Sequence, residues 1–319
     1  MPSSLDIIIV NRNSGNYLRS CLRSIESTDK AGVALQRVCV VDDVSTDDSL
    51  HEIGNFRLPL QLILNDKRRG YGSSCNRGAA QSHADYLLFL NSDVCLTRDS
   101  LRVPLFYMEN GENSQVAITG ITLLEDGGEV SRSCAHFPTV GRFFSIMLAL
   151  DRLWPKVFMS HQMKEWDHLN TREVDQVMGA FMMMRRSVFE QLKGYDERFF
   201  VYMEDLDLSL RTNQLGFKSV HLSGVYAYHK GGGSARRVRA ESLFFNLRSR
   251  IQYGFKHLSS GAWLVLLGTM LIEPLSRLAL AAMRQSATEA WATIDAYSRL
   301  WRWLLSSGVR ELYSSEYRD

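Results

Sequence analysis

Paired cysteines, a strong net charge and a long uninterrupted apolar segment are all missing from this chain of 319 residues. The cysteines are odd in number and show no CxxC or Cys/His metal-ligand spacing, so we expect reduced thiols in a cytosolic protein. They are Cys21, Cys39, Cys75, Cys95 and Cys134. A formal net charge of only +2 gives no reason to expect a nucleic acid partner. No signal peptide is expected, because Met1–Ser4 leads directly into a predicted strand.

The one extended apolar segment, Gly261–Met283, is short for a membrane span. Glu273, Pro274 and Arg277 interrupt it after about a dozen residues, whereas a span needs roughly 20. We expect a helix lying at a membrane surface, or one packed on the protein or on a second subunit. Residues 230–319 carry 13 Lys and Arg against 7 Asp and Glu, a net charge of +6, and four of the six tryptophans. Basic and aromatic residues together favour a membrane surface.

Short apolar runs alternate with helical patterns over the first third of the chain. The runs are Asp6–Val10, Val38–Val41, Leu60–Leu64 and Tyr86–Leu90. Between them lie an amphipathic stretch from Tyr17 to Ile25, a helix-cap cluster from Ser45 to Ser49, and a helix of small residues ending near Ala80. This β-α-β-α-β-α-β alternation predicts a parallel sheet wound with helices.

Polar side chains follow each of these runs directly. Asn11, Asp42, Asp43, Asn65 and Asp93 come at the carboxyl ends of the four predicted strands. Ligands of open α/β sheets bind at that edge, so we expect these residues to converge on one crevice. Asn91-Ser92-Asp93 offers two oxygen-bearing side chains two residues apart, which suits Mg²⁺ or Mn²⁺ carrying a diphosphate. A simple Asn/Asp turn is the alternative interpretation of that tripeptide.

The middle of the chain is less regular. Residues 116–120 and 178–185 are predicted strands, and no structure is assigned from about Cys134 to Val174. Leucines after Glu204-Asp205 predict a partly buried helix that begins with carboxylates, which the helix dipole favours.

The polar segments occur in an order that resembles glycosyltransferase family 2, whose members are inverting nucleotide-sugar enzymes with a GT-A fold. Each segment is weak alone, and the ordered set covers about residues 5–235. The matching segments are Ile7–Asn11, Val40–Asp47, Asn65–Gly78, Leu88–Asp93, Gly179-Ala180, Glu204–Arg211 and His229–Ser234. Within the family, the layout is most similar to the bacterial rhamnosyltransferase-like branch, which builds surface polysaccharides.

The resemblance implies an α/β fold with a mostly parallel central sheet and a C-terminal helical extension. Residues 1–100 would form the nucleotide-sugar-binding half and residues 101–235 the acceptor-binding and catalytic half of one GT-A domain. Residues 236–319 would be a helical extension that associates with a membrane or forms oligomers. The implied donor is a dTDP- or UDP-sugar, with dTDP-L-rhamnose favoured, and the implied acceptor is a lipid-linked glycan.

The resemblance also implies roles for individual residues at the donor site. Asp42 or Asp43 would accept a hydrogen bond from the base, and the glycines after Gly70 would let the backbone approach the nucleotide. The nucleotide-binding set is Asn11, Asp42, Asp43, Asn65, Gly70, Arg77 and Ser92. Asp93, with Asn91 and His229, would hold the divalent cation, although Asn91 stands where many relatives have a carboxylate. Gly231–Gly233 would form a closing lid.

Inverting transfer needs a base that deprotonates the acceptor hydroxyl. By the resemblance Asp205 is that base, Glu204 orients the acceptor or the base, and Asp207 only stabilises the helix amino terminus. Three alternatives stay open: a UDP-galactofuranose or UDP-N-acetylglucosamine donor, a sugar nucleotidyltransferase, and an inactive nucleotide-sugar-binding relative. The expected location is the cytoplasm, peripherally at the inner face of the cell membrane.

Overall fold

The computed structural model describes residues 2–158, 161–230 and 239–313. The chain divides into two compact units, each made of several segments. The first unit comprises residues 1–136, 166–196 and 204–234, and the second comprises residues 137–165, 197–203 and 235–319. Each unit has its own buried apolar cluster.

Within the described residues, nine strands of the first unit form one sheet, in the order β3-β2-β1-β4-β10-β6-β11-β5 with β8 pairing to β11. Its strands are β1 Ser3–Asn11, β2 Val33–Asp42, β3 Leu60–Leu64, β4 Tyr86–Asn91, β5 Val94–Leu96, β6 Val116–Leu124, β8 Arg172–Val174, β10 Phe181–Arg185 and β11 Lys218–His229. A separate antiparallel pair joins β7 Cys134–Ala135 to β9 Gln176–Val177.

The pairing explains why the predicted strand ends meet at one edge. Strands β1, β2, β3 and β4 are mutually parallel, so their carboxyl ends lie on the same side. Strand β10 runs antiparallel between β4 and β6, and β11 runs parallel to β6 and antiparallel to β5. The α/β sheet expected from the sequence is therefore confirmed, with antiparallel strands added on one side.

The helices of the first unit cover the sheet. They are α1 Asn16–Ser27, α2 Tyr71–Ala79, α3 Arg102–Glu109, α6 Arg186–Gln191 and α7 Glu204–Gln214. In α1, Leu18, Cys21, Leu22 and Ile25 are fully buried, as the helical spacing of the sequence predicted. They belong to the same apolar cluster as the strand residues.

The helix expected after β2 does not form; within the described residues from 43 to 59 the structure has only a 3₁₀ turn, Ile53–Asn55. Short polar side chains bond the local backbone instead. The Ser45 amide donates to Asp42 at 2.9 Å, and the Ser49 amide donates to Asp47 at 3.2 Å. Such Asx-type bonds compete with helical hydrogen bonds, so the capping residues close turns here.

The second unit is helical in its described residues. Its helices are α4 Val140–Met147, α5 Leu150–Leu153, α8 Arg239–His257, α9 Gly261–Leu267, α10 Glu273–Met283, α11 Ala287–Trp303 and α12 Val309–Tyr313. Two π-helical turns, Gly268–Ile272 and Leu304–Gly308, join α9 to α10 and α11 to α12 into continuous helical runs.

The run from Gly261 to Met283 is continuous through the residues that interrupt its apolar sequence. A π-helical turn precedes Pro274, a residue that cannot donate a backbone hydrogen bond. Glu273 is fully buried and contacts Arg250 at 2.5 Å and Arg277 at 2.7 Å. By length and composition alone this 23-residue run is long and apolar enough to cross a membrane, so the segment is not too short for a span as its sequence suggested.

Candidate active site

The carboxyl ends of β1 and β2 are tied together by side chains. The side-chain amide of Asn11 donates to the Asp42 carboxylate at 2.8 Å and to the Ser49 hydroxyl at 2.9 Å. Asp42 also accepts from the hydroxyl of Ser45 at 2.6 Å. Both Asn11 and Asp42 are buried. This network holds the turn after β2 in place, and Asp43 is the first residue after that strand.

Asp43 anchors the segment that leads from β3 into α2. It accepts from the Asn65 side chain at 2.8 Å, from the Arg69 amide at 2.7 Å and from the Gly70 amide at 3.2 Å. The oxygen of Asn65 accepts from the guanidinium of Arg77. Four of the predicted nucleotide-binding residues, Asp43, Asn65, Gly70 and Arg77, thus form one hydrogen-bonded group.

Two backbone conformations in this region are unusual. Val44 has a φ of 61°, a left-handed conformation that is rare for a β-branched residue. Gly70 has φ 82° and ψ 178°, a region of the Ramachandran map open essentially to glycine alone. Strained residues of this kind concentrate at functional sites, where the surrounding contacts hold them in place.

The end of β4 meets the end of β11. The Nε2 atom of His229 lies 3.4 Å from Oδ1 of Asp93, and both side chains are mostly buried. Strand pairing places His229 opposite Val94, the residue after Asp93. The hydroxyl of Ser92 lies 2.6 Å from that of Ser14, which follows β1. Asn91 is half-buried at the end of β4.

The residues at this edge of the sheet fit a hard divalent cation, because they can supply part of its coordination shell. Among the residues described, no three His, Cys, Asp or Glu side chains cluster as a complete metal centre. Asp93 offers a carboxylate and His229 offers an imidazole. Asn91, two residues before Asp93 in the chain, offers a side-chain amide oxygen. Mg²⁺ and similar ions bind through one or two carboxylates and take their other ligands from water and substrate phosphates.

Glu204 and Asp205 begin α7 and differ in their contacts. Oδ2 of Asp205 accepts from the Gly179 amide at 3.0 Å and from the Gln176 side chain at 2.9 Å. Burial raises the pKa of Asp205, while hydrogen bonds from Gly179, Leu206 and Gln176 oppose that rise. Asp205 is therefore held in a fixed orientation with a proton affinity above that of a free aspartate.

Glu204 is the more deeply buried of the two carboxylates. Its Oε2 has no hydrogen-bond partner among the described residues. Burial raises the pKa of Glu204 well above its usual range, and the charge of Asp205 adds to that rise. The two carboxyl groups are thus inequivalent, which favours separate tasks.

Backbone contacts link this carboxylate pair to the edge of the sheet. The hydroxyl of Tyr71, the first residue of α2, donates to the Gly179 carbonyl at 2.9 Å. The next residue, Ala180, accepts from the Asn91 amide at 3.0 Å. The Gly179-Ala180 turn therefore connects α2, the end of β4 and Asp205.

Sequence reasoning missed Gln176, Ser14 and Tyr71 as members of this arrangement. Gln176 is buried and precedes Gly179 by three residues, and no periodicity in the sequence marks it. Asp207 is fully buried and forms an ion pair with Arg211 at 2.8 Å, and Arg211 also donates to the Leu192 carbonyl. Asp207 thus has a structural contact. Gly231–Gly233, the predicted lid, lies outside the described residues.

Comparison with known proteins identifies the family. Residues 6–193 match the sequence profile of Glycosyl transferase family 2. The chain belongs to that family. The match extends from β1 to the end of the segment after α6, and so includes the strand ends, Asp43, the α2 segment and Asn91-Ser92-Asp93. It shows that the chain is a glycosyltransferase.

The curated relatives of this family 2 chain include rhamnosyltransferases. Rhamnosyltransferase WbbL of Escherichia coli is 26% identical over 77% of this chain and 91% of its own length. The N-acetylglucosaminyl-diphospho-decaprenol L-rhamnosyltransferase of Mycobacterium tuberculosis is 26% identical over 76% of this chain and 81% of its own. The rhamnosyltransferase-like branch predicted from the sequence is therefore confirmed.

Solved structures agree on the fold. The mannosyltransferase PcManGT from Pyrobaculum calidifontis, crystallised with GDP-Man and Mn²⁺, is 17% identical and covers 99% of this chain and 88% of its own, with a TM-score of 0.53. Staphylococcus aureus TarS residues 1–349 give a TM-score of 0.51 at 16% identity, covering 93% of this chain and 91% of theirs. These similarities confirm the GT-A fold.

Proposed function

We propose that this family 2 enzyme transfers L-rhamnose from dTDP-L-rhamnose to a lipid-linked glycan, with inversion at the anomeric carbon, during surface polysaccharide synthesis. The observation that carries the proposal is the similarity to two rhamnosyltransferases over about three quarters of the chain. One of those relatives is named for a diphospho-decaprenol acceptor. A lipid-linked acceptor would place the reaction at the cytoplasmic face of a membrane.

The donor would lie along the edge formed by β1, β2, β3 and β4. Asp42 or Asp43 would accept the N–H of the thymine base, since each carboxylate still has lone pairs after its internal hydrogen bonds. Asn11 and Asn65 support those two carboxylates. Gly70 would let the backbone approach the nucleotide. Arg77, which donates to Asn65, and Ser92, which contacts Ser14 after β1, would complete the nucleotide-binding set.

Asp93 and His229, with Asn91, would hold Mg²⁺ or Mn²⁺ against the diphosphate. The cation would neutralise charge on the leaving nucleoside diphosphate. The donor chemistry of these three side chains and the 3.4 Å separation of Asp93 and His229 support this assignment. PcManGT, which shares the fold, was crystallised with GDP-Man and Mn²⁺, and this supports the assignment.

Asp205 would act as the general base. It would take the proton of the acceptor hydroxyl as that oxygen forms its bond to the anomeric carbon. The bond from that carbon to the diphosphate oxygen breaks, and its electron pair leaves with dTDP. The raised pKa of Asp205 brings it closer to neutral pH, where a general base works best. Glu204, buried beside it, would orient the acceptor or the base.

We also propose a division of labour along the chain. Residues 1–100 would bind the nucleotide sugar, residues 101–235 would bind the acceptor and carry the base, and residues 236–319 would serve as a helical extension. The positions of Asp42, Asp43 and Asp93 in the first range and of Asp205 in the second support this division.

A UDP-sugar donor is the second candidate, and one observation favours it. The poly(ribitol-phosphate) β-N-acetylglucosaminyltransferase TarS is 29% identical over 30% of this chain, and its structure with UDP-GlcNAc shares the fold. Uracil and thymine offer the same N–H to a carboxylate, so Asp42 and Asp43 do not distinguish the two bases.

Thermal stabilisation by nucleotides tests the donor assignment. The protein would be melted with dTDP, UDP, GDP or CDP, each with Mg²⁺, Mn²⁺ or a chelator. A ligand at 100 times its dissociation constant adds about 2.7 kcal/mol of stability, which is a measurable shift in melting temperature. The proposal expects the largest shift with dTDP and a cation. A UDP preference would support the second candidate, and no shift with any nucleotide would favour an inactive relative.

A further inference from the structure

Two helical runs of the second unit expose large apolar side chains in regular stripes. The first stripe consists of Leu264, Leu267, Leu271 and Leu275, beside Trp263, on the run from Gly261 to Met283. The second stripe consists of Trp291, Ile294, Trp301, Leu305 and Val309 on the run from Ala287 to Tyr313. Spacings of three, four and seven residues put the members of each stripe on one face of their helix.

The opposite faces of the same helices are already used for packing. Leu266 and Met270 of the first run are buried in the same apolar cluster as Tyr297, Leu300 and Trp303 of the second. Each run is therefore apolar on two sides, one facing the core of the unit and one facing solvent. Scattered exposed leucines need no explanation, whereas contiguous apolar stripes mark interaction surfaces.

The charge around the stripes selects among the surfaces that could cover them. Residues 239–313 contain nine Lys and Arg and five Asp and Glu. Arg302 and Arg310 are exposed and stand directly after Trp301 and Val309 of the second stripe. A second copy of the chain would bring the same positive charge against this face, whereas anionic lipid would neutralise it.

We propose that the two stripes form a docking surface for an anionic lipid bilayer. The helices would lie in the plane of the interface with Trp263, Trp291 and Trp301 at the level of the headgroups, where tryptophan is favoured. The fully buried Glu273, paired with Arg250 of α8, shows that one side of the first run packs on the protein. That packing favours a helix lying on the bilayer over one that crosses it.

Vesicle sedimentation with the full-length protein tests the surface without requiring transfer activity. One set of vesicles would be phosphatidylcholine alone, and the other would contain 30 mol% phosphatidylglycerol, a composition chosen for roughly physiological negative charge. Leu275→Ser with Leu305→Ser alters side chains that are 70% and 81% exposed. Leu169→Ser, in the first unit and 60% exposed, is the matched control. We expect the double variant alone to lose binding to the anionic vesicles.

A charge pair of variants tests the electrostatic part. Arg302→Gln with Arg310→Gln should weaken binding to anionic vesicles about thirtyfold, or about fivefold per arginine removed. Arg98→Gln removes an arginine that is 81% exposed in the first unit and should leave binding unchanged. Raising the salt concentration should also weaken the binding of the wild type to anionic vesicles.

Three results would overturn the proposal. Equal binding of wild type and both double variants to anionic vesicles would show that the stripes are not the docking surface. No vesicle binding, with a dimer in sedimentation equilibrium that the leucine double variant converts to a monomer, would assign the stripes to a second copy. Retention in native membranes through high salt and alkaline carbonate would indicate a helix that spans the bilayer.

Discussion

At the scale of single residues, the candidate site depends on carboxylates that make very different contacts. Asp43 holds a loop, Asp93 faces an imidazole, and Asp205 is fixed by two donors on one oxygen. The sequence predicted Asp43 and Asp93 as site residues because they follow strands, and the resemblance to family 2 added Asp205. It could not predict Gln176, since a buried glutamine shows its partner only after β9 and α7 have been brought together.

Gln176 should act as a positioning residue for the proposed base. Its Nε2 lies 2.9 Å from Oδ2 of Asp205 and favours the ionised carboxylate. In Gln176→Ala the pKa of Asp205 should rise, so the acidic limb of the kcat/KM pH profile should move to higher pH. At pH values below that limb kcat/KM should fall about tenfold. Gln214→Ala, at the exposed end of α7, the helix that carries Asp205, is the control. An unchanged pH profile in Gln176→Ala would contradict this role.

His221 shows how one buried residue ties stability to pH. It is fully buried on β11, and burial lowers its pKa to about 4. The folded state thus keeps His221 neutral, whereas the unfolded chain takes up a proton near pH 6.5. Above pH 6.5 His221 takes nothing from the free energy of unfolding. As the pH drops from 6.5 toward 4, its neutral burial lowers that free energy by about 3 kcal/mol in total.

Denaturant unfolding between pH 7 and pH 4 measures that loss. We expect His221→Gln to be less stable at pH 7 and to show a shallower decline with acid than the wild type. His51→Gln changes a histidine whose side chain is 70% exposed and should preserve the wild-type slope. Equal slopes in wild type and His221→Gln would refute the assignment.

At the scale of structural elements, local pattern predicted the four parallel strands and missed what long-range pairing decides. β10 enters between β4 and β6, and β11 pairs with β5, β6 and β8. Such partners are distant in sequence, so alternation within a strand does not identify them. The absent helix after β2 has a local cause, because Asp42 and Asp47 bond the backbone of the turn.

The turn before α2 gives a prediction at this scale. Gly70→Ala would force a Cβ into φ 82°, and we expect a loss of about 1–3 kcal/mol in the free energy of unfolding. The strained loop would also loosen the Asp43 contacts and weaken nucleotide binding. Gly54→Ala meets nothing within 4 Å and should change stability by less than about 0.5 kcal/mol. Denaturant unfolding and nucleotide titration of both variants provide the test.

At the scale of the whole molecule, family 2 membership and the GT-A fold follow from an ordered set of short motifs, each weak alone. The donor sugar is less accessible to sequence reasoning, because selectivity depends on the shape of a pocket built from many segments. The C-terminal region shows the same limit. Its composition predicted an association surface, and only the packing of its helices separates the exposed stripes from the core.

Donor turnover is the most direct test of the proposed activity. Purified enzyme would be given dTDP-L-rhamnose or UDP-N-acetylglucosamine with an N-acetylglucosaminyl-diphospho-lipid acceptor and Mg²⁺, and the released nucleotide and the product's anomeric configuration would be measured. We predict dTDP release with inversion, a loss of about 10²–10⁴-fold in Asp205→Asn, and near-normal turnover in Asp99→Asn, which alters a surface carboxylate. Turnover of UDP-N-acetylglucosamine without turnover of dTDP-L-rhamnose, or near-normal turnover in Asp205→Asn, would contradict the account.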